Sequence, residues 1–137
     1  MPHKEEFIEA ARSWIGTRWV HQGRNRAGVD CVGLLLVAAA DIGIELPDMP
    51  GYRRSPNPAL FVKHIRDNSL PVGEPTPGTF GIFRDGTQPC HVGIFAERDG
   101  HLTLIHAYSA LGKVLEEDFL HDWPKKLVEV RAIEGIS

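Results

Sequence analysis

Cysteine and histidine are the side chains from which a nucleophile and its base are most readily made, and this chain holds 2 cysteines and 7 histidines. Cys31 comes first. It follows Asp30, a good helix N-cap, and opens an apolar stretch from Cys31 to about Ile42 that Gly43 ends. A helix N-terminus carries about half a positive charge, which stabilises a thiolate and lowers a cysteine pKa. The thiolate is the form that attacks a carbonyl, and backbone N–H groups at the same helix end can hold a developing oxyanion. The negative charge of Asp30 opposes this, so its side chain must turn toward the backbone cap for the thiol to be activated. A free cysteine is also commonly a small packed hydrophobe, so Cys31 alone decides nothing.

The histidines add to the case. Asp99-Gly100 reads as a two-residue hairpin turn. Arg98 then faces His101, and counting back along both strands sets His91 opposite Tyr108. His106 lies diagonal to His91 on the same face, and diagonal neighbours about 7–8 Å apart can touch through their side chains. His91 is then a candidate general base, and His106 a partner that fixes its tautomer, which is the logic of a catalytic triad. The same alternation sends Cys90 to the opposite face, as a packed or surface thiol, unless a one-residue bulge reverses the faces. His21 lines a cleft or is a hydrogen-bonded loop residue. Trp19 is core or cleft wall, and Trp14 is core. His3, His64, His101 and His121 read as solvated.

These groups need elements to hold them. Phe7, Ile8, Ala11, Trp14 and Ile15 recur at helical spacing, with Gly16 as a stop. A polar, glycine-bounded loop spans Gly23 to Gly28, before the central helix of Cys31. Leu60, Phe61, His64 and Ile65 mark a third, amphipathic helix. Beyond Pro71 the pattern turns to short strands: Phe80–Arg84, His91–Ala96, Leu102–Tyr108, Lys113–Glu116 and Leu127–Ile133. Helices first and an antiparallel meander afterwards predict an α+β domain.

The whole chain of 137 residues fits a single domain, 1–137, with a core of its own. Hydrophobic residues make up 42% and charged residues 24%, with a formal net charge of −3, which argues against nucleic-acid binding. The basic pairs Arg24/Arg26, Arg53/Arg54 and Lys125/Lys126 read as solvated surface. No apolar run reaches the roughly 20 residues of a membrane helix. The N-terminal Met1-Pro2-His3-Lys4-Glu5-Glu6 lacks the layout of a secretory signal. Synthesis in the cytoplasm without a signal peptide is therefore the expectation. Two cysteines make no disulfide framework.

Four segments carry a resemblance. Asp30-Cys31-Val32-Gly33-Leu34 resembles the nucleophile signature of the NlpC-type cell-wall cysteine peptidases. His91-Val92-Gly93-Ile94-Phe95 is similar to their base-bearing strand, and Ile105-His106-Ala107 to the segment of their third catalytic residue. Gly16 to Gly23 is similar to the loop before their nucleophile. Together these cover about residues 7 to 110 in the family's order. The resemblance implies a papain-like fold, in which the nucleophile's helix packs on an antiparallel sheet bearing the base. It implies Cys31, His91 and His106 as catalytic residues, Trp19, His21, Asp30 and Tyr108 around the substrate, and no metal or other cofactor. It also implies hydrolysis of peptidoglycan stem peptides, commonly at the γ-D-glutamyl to diamino-acid link. Val32 and the Trp19-Val20-His21-Gln22-Gly23 run are closest to the branch encoded with phage tails and gene-transfer particles. Delivery to the cell wall by such a particle follows, with tail proteins as partners and no insertion into a membrane.

Two positions depart from the family pattern. Trp19 stands where many members have a tyrosine that helps the oxyanion site, and an indole offers only its N–H. Gly78-Thr79-Phe80-Gly81-Ile82-Phe83 lacks the usual aspartate. Three other readings compete: a catalytically inactive tail component of the same fold, a zinc site from Cys31, His91 and His106, and a lipid acyltransferase. The zinc reading lacks closely spaced ligand pairs. The acyltransferase relatives place histidine before cysteine in the chain, the reverse of the order here.

Overall fold

The computed structural model describes residues 2–49, 51–52, 57–86 and 88–137. The Arg53/Arg54 pair therefore lies outside the described residues. The central helix, α2 (Cys31–Asp41), begins where its cap requires: Asp30 Oδ1 accepts the Gly33 N–H at 2.8 Å, satisfying one orphan donor of the first turn. Val32, Leu34, Leu35, Ala38 and Ala39 are all buried, so the helix is apolar on most sides and sits in the core. Gly43, with φ 86°, turns the chain away after its last turn.

The first helix, α1 (Lys4–Arg12), buries Phe7, Ile8 and Ala11. It is shorter than the periodicity predicts, with Trp14 buried beyond its end and Ile15 exposed. The third, α3 (Pro58–Asp67), has Pro58 in its first turn and Asn57 accepting the N–H groups of Ala59 and Leu60. It buries Phe61, Val62 and Ile65.

A six-stranded antiparallel sheet follows in the order β3-β8-β4-β5-β6-β7. Its strands are β3 (Leu70–Val72), β4 (Phe80–Asp85), β5 (Gln88–Arg98), β6 (His101–Tyr108), β7 (Lys113–Asp118) and β8 (Leu127–Ala132). β4 to β7 form the expected meander. β8 departs from it: instead of extending the sheet past β7 it returns to pair with β4, and β3 pairs with β8 at the edge. Pro71 is tolerated there because an edge strand leaves one side of its backbone unpaired. The stretch expected as a plain loop contains a small hairpin, β1 (Arg24–Asn25) with β2 (Gly28–Val29). A short helix, α4 (Trp123–Lys126), precedes β8.

The hairpin between β5 and β6 has the register read from the sequence, with Arg98 facing His101 and Ile94 facing Ile105. Asp99 and Gly100 take φ 55° and 80°, as a turn with two left-handed central residues demands. Alternation along the strands then divides the sheet into two faces. Phe80, Ile82, Val92, Ile94, Ile105 and Ala107 join Phe7, Leu34 and Phe61 in one core beneath the helices. Phe83, Phe95, Leu104, Trp123 and Val130 form a second, aromatic cluster on the far side.

Candidate active site

Cys31 lies at the first residue of α2, over the end of the sheet where β5 begins and β6 finishes. A cleft opens there, lined by Cys31, His91, Trp19, His21, Asp30 and Tyr108, with Val32, Tyr52, Phe61, Asp85, Cys90, Ala107 and Ser109 completing its walls. Six of the seven residues singled out in the sequence thus line one cleft, and the seventh, His106, lies buried behind His91. Two glycines of the motifs make the approach possible. A Cβ on Gly33 would fall 2.2 Å from the Gly23 carbonyl oxygen, so only glycine lets the helix start against the preceding loop. A Cβ on Gly93 would fall 2.6 Å from Leu104 Cδ1 and 3.3 Å from His106 Cβ, so Gly93 makes room for the second histidine.

His91 and His106 are both buried, and His91 Nε2 lies 2.9 Å from His106 Nδ1. Their rings sit on the far face of the sheet, among Phe83, Tyr108 and Trp123. Tyr108 stacks on His106 at 5.3 Å between centroids, and Trp123 meets it edge-on at 4.7 Å. His106 Nε2 in turn lies 2.8 Å from Glu117 Oε2 on β7. Burial, the neighbouring His106 and Lys126 hold the His91 pKa well below its ordinary value. No hydrogen bond joins Cys31 to His91 among the described residues; catalytic contacts commonly tighten only once substrate is bound.

The thiol differs from the expectation raised by the helix N-terminus. Asp30 does turn to the backbone cap, yet burial first, and then the Asp30 charge, push Cys31 up to about 12. The N–H groups of Val92 and Val32 favour the thiolate but do not prevail. Both shifts favour a neutral thiol beside a neutral imidazole over a preformed ion pair.

Asp30 is fully engaged by the protein itself. It accepts from Gly33 N, from Gln22 N at 2.9 Å, from Arg24 Nη1 at 2.9 Å and from the Tyr52 hydroxyl. Its contribution to the cleft is shape. Arg24, expected as a solvated residue, is instead half-buried and also binds Asp48 and the Tyr52 hydroxyl, the latter at 2.7 Å. It is drawn inward because Asp30 is a buried charge that needs a partner. Arg26 lies over the Trp14 ring at 3.6 Å yet stays exposed, as Lys125 does, whereas Lys126, over Trp123 at 4.7 Å, is half-buried. Trp19 is half-buried against the cleft and stacks toward His21, whose ring meets Tyr52 edge-on at 5.5 Å.

Cys90 also differs in part. A bulge pairs Phe83 with His91 but Arg84 with Pro89, leaving Cys90 unpaired in β5. It packs against the helix-side core, opposite the His91 ring, as alternation predicts. It nonetheless lines the same cleft as Cys31, because the start of α2 overhangs the strand end. Tyr52, Trp123 and Glu117 were missed altogether. The first two lie in irregular or very short segments; for Glu117 a signal existed, since β6 and β7 flank a short turn closed by Gly112.

A cysteine opening a buried helix, set over an antiparallel sheet whose strands bear a histidine pair, defines the papain-like class of cysteine peptidases. The chain belongs to the NlpC/P60 family, whose model matches residues 16–132. It is 30% identical over 128 residues to a probable endopeptidase of Haemophilus influenzae, covering 91% of this chain and 71% of that protein. It is 23% identical to the murein DD-endopeptidase MepS/murein LD-carboxypeptidase of Escherichia coli K12, covering 95% of this chain and 63% of that protein, so it spans under two thirds of the latter's length. Among solved structures, the NlpC/p60 domain of the peptidoglycan hydrolase SagA superposes with a TM-score of 0.67 at 16% identity, covering 96% of this chain and 99% of the other. That last likeness concerns the fold.

Proposed function

We propose that this chain hydrolyses peptide bonds within peptidoglycan stem peptides by covalent thiol catalysis. One observation carries the reading: a buried His91–His106 contact of 2.9 Å at the rim of the cleft that holds Cys31. Cys31 Sγ adds to the amide carbonyl carbon while its proton passes to His91, through Nδ1, because Nε2 is engaged by His106. His91 returns that proton to the departing amine, leaving a thioester. A water molecule, deprotonated by His91, then cleaves the thioester, releasing the carboxylic acid and regenerating the thiol. His106 orients His91 and shares the positive charge. The shifts that favour a neutral pair favour proton transfer in step with attack. Trp19, His21 and Tyr108 offer the substrate flat, half-polar walls.

The names of the relatives, endopeptidase and peptidoglycan hydrolase, support the substrate class. The bond we favour is the γ-D-glutamyl to diamino-acid link, on the strength of the motifs at Asp30–Leu34 and His91–Phe95; the E. coli relative's name refers to other bonds of the same polymer. On the Val32 and Trp19–Gly23 sequence pattern we further place the protein in a phage tail or phage-like particle that carries it to the wall. Digestion of defined muropeptides, with products read by mass spectrometry, tests bond and activity together. Cys31→Ala is expected to lose at least about 10³-fold in turnover while remaining folded. Wild-type turnover in that variant would overturn the assignment.

A further inference from the structure

We propose that Glu117 is a fourth, positioning member of the catalytic chain, which sets the tautomers of both histidines so that His91 presents a bare Nδ1 to Cys31. The inference rests on the thiol mechanism above and extends it to a residue on a third strand.

The argument is one of donors and acceptors. Glu117 Oε2 lies 2.8 Å from His106 Nε2, and His106 Nδ1 lies 2.9 Å from His91 Nε2. The His106 hydrogen bond is the chief cause that keeps the Glu117 carboxyl below its usual range, with Trp123 and Lys126 adding to it. An ionised carboxylate only accepts, so His106 Nε2 must carry the hydrogen. A neutral imidazole has a single N–H, which leaves His106 Nδ1 as an acceptor. The contact between the rings then requires His91 Nε2–H as donor. His91 Nδ1 is left with its lone pair, and it is the only nitrogen of that ring free to take a proton from the thiol.

The opposite order is equally allowed by two histidines alone. His106 Nδ1–H would donate to His91 Nε2, and His91 would then carry its hydrogen on Nδ1, where it could accept nothing from Cys31. His106 is fully buried and its Nε2 faces Glu117, so the carboxylate chooses between the two orders. Its charge has a second effect. When Cys31 is deprotonated, the positive charge that forms on the histidine pair is inside an aromatic enclosure of Phe83, Tyr108 and Trp123. Lys126 opposes that charge, and Glu117 is the anion hydrogen-bonded to the pair. This is the outer-partner logic by which a carboxylate behind a histidine fixes its orientation and basicity.

The placement follows from register. β6 pairs with β7 so that His106 faces Leu115 and Leu104 faces Glu117. Glu117 is therefore diagonal to His106 on the same face, as His106 is to His91. The relay crosses β5, β6 and β7 in two equal steps.

Two nearly isosteric or truncating variants test this, Glu117→Gln and Glu117→Ala, with muropeptide kinetics and histidine ¹⁵N chemical shifts recorded on each. For both, kcat is expected to fall about 10–100-fold, by analogy with the loss of carboxylates behind metal-bound histidines, with KM nearly unchanged. In the wild-type protein His91 and His106 should both show a protonated Nε2 and an unprotonated Nδ1. In Glu117→Gln, whose amide N–H can donate to His106 Nε2, at least part of the population should move to the opposite tautomers. Unchanged tautomers in that variant, or kcat within twofold of wild type, would overturn the proposal. The shift measurement needs no substrate: if wild-type protein cleaves no muropeptide, the hydrolase reading fails while the tautomers still decide the role of Glu117.

Discussion

The two faces of the sheet are built from different materials. Beneath the helices lies an aliphatic core in which Leu34, Ile82, Ile94 and Ile105 pack against Phe7 and Phe61. Burial of such side chains contributes roughly 1.5–3 kcal/mol each, and nothing in it is directional. On the far side a smaller aromatic cluster encloses two histidines and reaches a carboxylate. Its geometry is directional, since His91 Nε2 and both nitrogens of His106 each have one named partner. The first face places α2, and hence the sulfur; the second sets the basicity of the group that must meet it. The cleft forms where the two meet, at the end of the strands. Stability and proton chemistry are thus assigned to opposite sides of one sheet, joined through β5, which supplies Val92 and Ile94 to one and His91 and Phe95 to the other.

That division can be broken experimentally. The largest effect is expected from Leu34→Ala, which leaves a hole in the helix-side core and should cost about 2–5 kcal/mol in denaturant unfolding. The molecules that remain folded should keep wild-type kcat, because no partner of His91 or His106 is touched. A fall in kcat per folded molecule would show that the aliphatic side tunes the chemistry as well.

Next comes acid. His91 is held neutral in the fold, well below the ordinary value near 6.5, whereas the unfolded chain takes up that proton. The unfolded state then binds more protons as pH falls below about 6.5, so stability should decline by up to about 1.4 kcal/mol per pH unit from this group. Unfolding curves at pH 7.5, 6 and 5 would measure it, and His91→Gln should flatten the slope in that window. An equal slope in the variant would mean that groups other than His91 set the acid dependence.

The smallest effect is expected at Cys90, which belongs to the helix-side core yet faces the cleft. Cys90→Ser should change stability by less than about 1.5 kcal/mol and activity by less than about threefold, as a modest change at a partly exposed site. A larger loss of activity would move Cys90 from wall to working part.

Much of this arrangement was legible beforehand. The Asp30 cap and the apolar run after it located the sulfur, and the Asp99-Gly100 turn was enough to bring His91 and His106 together. The same counting, applied across the turn from Ser109 to Gly112, would have set Glu117 diagonal to His106. That turn is longer and carries a short 3₁₀ segment, so its register is less constrained by residue type. Tyr52 and Arg24 were beyond reach for another reason: their positions follow from a buried aspartate's need for donors, which no local pattern announces. The raised thiol pKa was similarly hidden, because helix polarity is readable from sequence whereas desolvation requires the finished packing.

Asp30 has a further mechanical meaning. One carboxylate fastens the backbone at Gln22, the guanidinium of Arg24, the phenol of Tyr52 and the opening turn of α2. The segments bearing His21 and Tyr52 are consequently tied to the same anchor as the sulfur. That side of the mouth is cross-linked through a single carboxylate, whereas the opposite lip is the turn after Tyr108 that carries Ser109.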